Sequence, residues 1–111
     1  MIEVIIKNHL DSVLEEQVFF EKPSPSLGSY VVLEKTNSGK NNHLPSATFA
    51  FQSYAKSLYA AAELNEKVKE AVESLIELNE IRGVSLNSDY NFTDTITKEY
   101  RYQAVFDIKY Y

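Results

Sequence analysis

Cysteine is absent from the chain. No disulfide framework can staple the fold, and no thiolate is available as nucleophile or metal ligand. Tryptophan is absent too, and glycine and proline number only three each. That scarcity leaves little of the irregular backbone on which small-molecule clefts are commonly built. Arginine is limited to Arg82 and Arg101, and the lysines are scattered. Lys and Arg total 11 against 16 Asp and Glu, giving a formal net charge of −5 and a pI near 5.0. A nucleic-acid binder needs clustered cations to displace counterions, whereas this balance repels DNA, so no specific nucleic-acid binding is expected. No apolar run approaches the length of a membrane span, and no membrane partner is expected. The opening "MIEVIIKNHLDSVLEEQ" is broken by acidic residues and lacks a small-residue cleavage site, so it is not read as a signal peptide. The default expectation is the cytoplasm.

Chemistry-bearing patterns are equally sparse. His9 and His43 are the only histidines, and neither has a second ligand at metal spacing. "NSGKNN" contains Gly-Lys but lacks the earlier Gly and the following Ser/Thr of a phosphate loop. No Gly-x-Ser-x-Gly elbow gives a serine a nucleophile's setting. Asp89 and Asp94 could pair as carboxylates, but turn stabilisation accounts for them more simply. Asn91–Thr93 matches a glycosylation sequon without a route to a secretory pathway. The expectation is a protein with no cofactor, no metal and no catalytic residue, and not an enzyme.

What is present reads as one domain of 111 residues with 44% hydrophobic and 24% charged content. Eight tyrosines and six phenylalanines suit half-buried sheet faces and interfaces. Ile2, Ile5, Ile6, Leu10, Val13 and Leu14 recur at helical spacing and predict a helix over about 2–16. Val18–Glu21 reads as a short strand stopped by Pro23 and Pro25. "SYVVLEKT" predicts a strand over about 29–36, and "ATFAFQSY" another over about 47–53. Between them "NSGKNNHLPS" is rich in turn formers and predicts a loop over about 37–46. Leu58, Ala61, Leu64, Val68, Ala71, Leu75 and Leu78 step by threes and fours, predicting a long helix over about 55–80 with Gly83 just past its end. Glu63 and Lys67 have the favourable order for a pair one turn apart. A fourth strand is expected over about 84–88, running into a turn-rich segment in which Asn87, Ser88, Asp89, Asn91 and Asp94 favour side-chain-to-backbone turns.

The last strand, about 98–110, alternates cleanly. Tyr102, Ala104, Phe106, Ile108 and Tyr110 share one parity, and Arg101, Gln103, Val105, Asp107 and Lys109 the other. A helix of about 25 residues is ~37 Å long at ~1.5 Å per residue, and a strand of about 11 spans ~36 Å. The simplest packing lays the long helix across the Tyr102–Tyr110 face with the first helix beside it. The expected class is therefore α+β: a mostly antiparallel sheet of four to five strands, two helices on one face, in the order α-β-β-β-α-β-β. The Arg101–Lys109 face is expected to be solvated, or else to meet another subunit.

Two regions are candidates for such contacts. One is the 37–46 loop, with Asn37, Lys40, Asn41, Asn42 and His43. The other is Asp89–Thr97, where Tyr90 and Phe92 are apolar residues in a turn-rich stretch, serving as core plugs or as anchors for a neighbour, with Arg101 nearby in sequence. A different class of function is a small acidic adaptor or inhibitor that engages a basic protein through Glu63, Glu66, Glu70, Glu73 and Glu77.

The order of segments adds a further expectation. The short N-terminal helix, "VFFEKPSPSLGSYVVLEKTNSG", "SATFAFQSYAKSLYAAAELNEKVKEAV", "VSLNSDYNFTDT" and "KEYRYQAVFDIKYY" together resemble small tail proteins of long-tailed bacteriophages and prophages, of the tail-completion or tail-terminator class. The resemblance covers nearly the whole chain and is strongest in "FQSYAKSLYAAAEL" and "YNFTDT…KEYRYQAVFDI". It implies a structural virion component that forms a ring, commonly a hexamer, at the head–tail neck. It implies tail-tube and head-connector proteins as partners, and assembly in the host cytoplasm. An acidic body would suit a channel through which DNA slides without sticking.

Overall fold

A computed structural model of the chain describes residues 1–23, 28–41 and 44–111. The elements run α1 (Ile2–Val13), β1 (Gln17–Phe19), β2 (Tyr30–Asn41), β3 (Leu44–Ala55), α2 (Leu58–Glu73), β4 (Ile81–Asn91) and β5 (Tyr100–Tyr110), with a 3-10 helix, Ser74–Glu77, continuing α2. All five strands form one sheet in the order β1-β2-β3-β5-β4. β1 lies parallel to β2, and every other neighbouring pair is antiparallel. The α+β order expected from the pattern is present. No helix among the described residues is long and apolar enough to cross a membrane.

Alternation decides which face the helices cover. In the β3–β5 register Phe49 stands opposite Phe106, Ala47 opposite Ile108 and Phe51 opposite Ala104, so these six share one face. β2 adds Val31 and Leu33 to it. Against this face α1 turns Ile2, Ile6 and Leu10, and α2 turns Ala61, Leu64, Val68, Ala71 and Val72, in one continuous core. Phe51 and Phe106 meet edge to face at 5.8 Å between centroids, an arrangement that aligns ring edge with ring face. The long helix does roof the C-terminal strand.

Several boundaries moved, each for a local reason. α1 stops at Val13 because Leu14 is extended, not helical. β1 spans Gln17–Phe19, shorter and earlier than 18–21. α2 starts late because Ser57 caps it: its Oγ accepts the Ala60 N–H at 3.1 Å, which stabilises a helix start by ~1 kcal/mol. Leu58, expected on the buried stripe, is exposed in the first turn. The same helix ends early because Ser74 Oγ donates back to the Ala71 carbonyl at 2.6 Å, tightening the last turn. His9 Nε2 of α1 lies 2.7 Å from that oxygen and donates to it, fixing the junction from the other helix. Leu78 is then extended, and β4 begins at Ile81, well before the expected 84. Gly83 is therefore no helix stop; it lies in β4 opposite Lys109.

The largest correction concerns 37–46. Its turn formers predict a loop, but β2 continues to Asn41 and β3 begins at Leu44, with Asn41 opposite Leu44. Residues 37–41 and 44–46 thus lie in paired strands. Cross-strand pairing to an already anchored β3 overrides low strand propensity at Asn37, Ser38 and Gly39.

Both outer strands are irregular. β1 covers β2 only from Tyr30 to Val32, and β2 then carries a bulge between Lys35 and Asn37. β4 has bulges at Ile81/Gly83 and Leu86/Ser88. Bulges kink an edge and resist pairing with a stranger's strand.

Candidate interaction surface

The helix-free face of the sheet was expected to be solvated. Instead its middle is a half-buried hydrogen-bonded layer. Arg101 stands opposite Tyr54 and Gln103 opposite Gln52 on β3, while Tyr90 of β4 stands opposite Gln103. Arg101 Nη1 donates to Tyr54 Oη at 3.0 Å. Tyr54 Oη donates to Gln52 Oε1 at 3.4 Å, Gln52 Nε2 to Gln103 Oε1 at 2.9 Å, and Gln103 Nε2 to Tyr90 Oη at 2.5 Å. The chain of donors runs in one direction across three strands. It ends with the Tyr90 hydroxyl oxygen as acceptor. Gln103 is 9% exposed, so its amide depends on these partners, since an unpaired buried amide is costly. Farther along, Asp107 accepts from Thr48 Oγ1 at 2.7 Å and from Asn87 Nδ2 at 3.2 Å.

Aromatic rings frame this layer. Tyr30 and Tyr54 stack at 4.7 Å with Phe19 edge-on to Tyr30, and with Val32 they form a second, smaller core. Lys22, beyond β1, lies over the Tyr54 ring at 6.0 Å and forms an ion pair with Glu99; that carboxylate raises the lysine pKa. On the other flank the Arg101 guanidinium lies 4.5 Å from the Phe92 ring, and its Nε donates to the Phe92 carbonyl at 2.6 Å. Phe92 meets Tyr90 edge to face at 5.9 Å. Tyr90 is 42% exposed, Phe92 39% and Ile96, in the same connection, 92%. Tyr90 and Phe92 are thus not core plugs. They form an outward apolar shoulder mounted on Arg101.

The β4–β5 connection that carries this shoulder is held by side-chain turns, as its Asn and Asp content predicted. Asn91 Oδ1 accepts the Thr93 N–H at 3.0 Å, and Asp94 Oδ1 accepts Ile96 N–H at 2.9 Å and Thr97 N–H at 3.3 Å. Those backbone donors, Ile96 first and then Thr97, hold the Asp94 pKa below the ordinary aspartate value. A depressed folded-state pKa means the carboxylate's support is complete above the unfolded-state value and is lost as pH falls through the folded-state value. Amide exchange at Ile96 and Thr97, corrected for intrinsic rate, should therefore accelerate only in that acidic window. Asp94→Asn should flatten the pH dependence. Asn87, Ser88 and Asp89 do not share this role, because β4 runs past the expected end at 88 to Asn91; Asn87 donates to Asp107, and Asp89 pairs with Lys69 of α2, a contact that, followed by Glu66, raises the lysine pKa. Lys67 pairs with Glu16 at 3.8 Å, not with Glu63.

Of the candidate residues, Tyr90, Phe92 and Arg101 come together. Asn37 and Lys40 lie exposed on β2, and Asn41 ends it. Asn42 and His43 lie outside the described residues. Ser46 pairs with Lys109 and Tyr54 with Arg101, so the Asn37–Asn41 stretch, which pairs with the start of β3, and the shoulder sit toward opposite ends of β3, where Ser46 and Tyr54 are ~26 Å apart at ~3.3 Å per residue. They are two separate surfaces. Gln52, Tyr54 and Gln103, which brace the shoulder, were not among the candidates. The only sequence sign was two glutamines on strands at positions of the helix-free parity, which becomes visible once the register is known.

A cleft of about 430 Å³ opens beside the shoulder, among Tyr30, Tyr54, Lys56, Lys98, Glu99 and Tyr100. Among the described residues no three His, Asp or Glu side chains converge as a metal site would require. The fold and surface define a helix-roofed, five-stranded α+β domain with an aromatic shoulder on its helix-free side. The sequence matches no protein-family model and no curated protein.

Proposed function

We propose that the protein is a structural virion component of a long-tailed phage or prophage, a tail-terminator or tail-completion subunit that assembles with its own copies into a ring at the head–tail neck. One observation carries the reading: large apolar side chains, Tyr90, Phe92 and Ile96, are held outward on a braced connection. Fixed aromatic and arginine groups are the usual centres of protein contacts, because their rings bury much area at little conformational cost. The segment resemblance to tail-completion proteins gives this contact its context, and it names the tail-tube and head-connector proteins as further partners.

Sedimentation velocity over a wide concentration range tests the proposal. The wild-type chain should grow heavier with concentration. Phe92→Ala/Ile96→Ala, which leaves the Gln103–Tyr90 bond in place, should lower the unfolding midpoint little yet weaken association by roughly thirtyfold or more, the size of a hot-spot truncation. A wild-type chain that stays monomeric throughout overturns the reading. That result would favour the acidic adaptor, for which the supporting observation is the row of exposed glutamates on α2.

A further inference from the structure

The cleft at the start of α2 and the outward face of that helix differ in charge. At the start of α2 the tyrosine-walled cleft is rimmed by Lys56, Lys98 and Glu99. Glu99 is already engaged by Lys22. Lys56 and Lys98 have no ion-pair partner among the described residues. Lys98 also holds φ at 57°, the one non-glycine among the described residues in the left-handed region. The positive end of the α2 dipole lies at the same end, since Leu58 opens the helix just past Lys56.

The outward face of α2 has the opposite sign. Glu63, Glu66, Glu70, Glu73 and Glu77 are exposed, and their spacing of threes and fours sets them in one stripe. Lys69 occupies Glu66 at 2.5 Å, and Lys67 turns to Glu16. Glu70, Glu73 and Glu77 make no ion pair among the described residues. Glu73 lies ~25 Å along the helix axis from Lys56 at ~1.5 Å per residue, too far to enter the cleft of its own chain.

We infer that the lysine-rimmed cleft of one copy receives the Glu70–Glu77 stretch of a second copy, joining subunits head to tail; this rests on the self-association reading above. The aromatic walls exclude water around the pairs and strengthen them relative to exposed ones. A contact between two different patches on identical chains is heterologous, and it propagates until its rotation closes a ring. Dependence on ion pairs at the rim also makes the association salt-sensitive.

The absence of cysteine makes the test clean. Lys56→Cys and Glu73→Cys chains, mixed under mild oxidation, should form a mixed disulfide several-fold faster than either chain forms one with itself, and high salt should abolish the difference. Lys56→Glu/Lys98→Glu and Glu70→Lys/Glu73→Lys should each lose self-association, and mixing the two should restore a complex through the reversed pairs. Circular dichroism on each variant checks that the fold is kept. If the wild type associates but the mixed disulfide forms no faster and the reversals have no effect, this inference is overturned while the self-association reading stands. If the wild type never associates, both fall.

Discussion

Phe106→Ala should cost ~3–5 kcal/mol, the usual range for removing a fully buried phenylalanine. Domains of this size hold a net stability of roughly 5–15 kcal/mol, so the urea midpoint should fall by about a fifth or more, and at the low end of that range the variant is largely unfolded at 37 °C. Phe106 has no solvent exposure, stands opposite Phe49 in the register and meets Phe51 edge to face. Truncation removes a ring from between β3 and the α2 face carrying Leu64 and Val68, and a sheet pinned on both sides by strands has little freedom to collapse into the void. Tyr59→Ala is the control: Tyr59 is 74% exposed on the first turn of α2, and its loss should stay within ~0.5 kcal/mol. A Phe106 variant no less stable than that control would contradict the packing of α2 on the C-terminal strand, and with it the rigid platform on which the shoulder depends.

Arg101→Ala should lower stability by ~1.5–3 kcal/mol, the range for hydrogen bonds to a charged group. Three contacts go at once: the Nε bond to the Phe92 carbonyl, the Nη1 bond to Tyr54 and the stacking over Phe92. Tyr54 then loses its donor at the head of the chain that ends at Tyr90. Amides from Thr93 to Thr97 should exchange faster, while those of Phe49 and Phe51 in the core should change no more than the global loss requires. Arg101→Lys should not rescue, because an ammonium cannot bond in two directions while lying flat on a ring. Full rescue by lysine would mean that Arg101 contributes only charge. Self-association should weaken in the alanine variant even though Arg101 is half-buried, because the aromatic pair it orients is no longer held.

The comparison between pattern and structure is informative at particular residues. Tyr102 to Tyr110 announced their face because strict alternation admits only one strand orientation against a core. α2 announced itself through a stripe sustained over several turns, and Asn91 and Asp94 announced their turns because their side chains reach only nearby amides. The ends of α2 did not, since they depend on where Ser57 and Ser74 find acceptors and donors, and Ser74 is fixed partly by His9 from the other helix. Residues 37–41 misled because their composition is that of a loop, while their conformation is set by a partner strand. Tyr90, Phe92 and Arg101 were singled out, but the reason they matter was hidden: Tyr54, Gln52 and Gln103 are remote in sequence and meet them only through the register.

The sequence by itself determined the α+β order, the helix-facing parity of the last strand and the turn chemistry of the β4–β5 connection. Each follows from interactions spanning a few residues, or from a periodicity that any neighbour must respect. Only the tertiary structure decided that 37–41 is a strand, that the middle of the helix-free face is a half-buried hydrogen-bonded layer, and that Lys56 and Lys98 line one cleft. Those outcomes rest on pairings between residues dozens of positions apart, and local propensity carries no information about which distant strand will supply the partner.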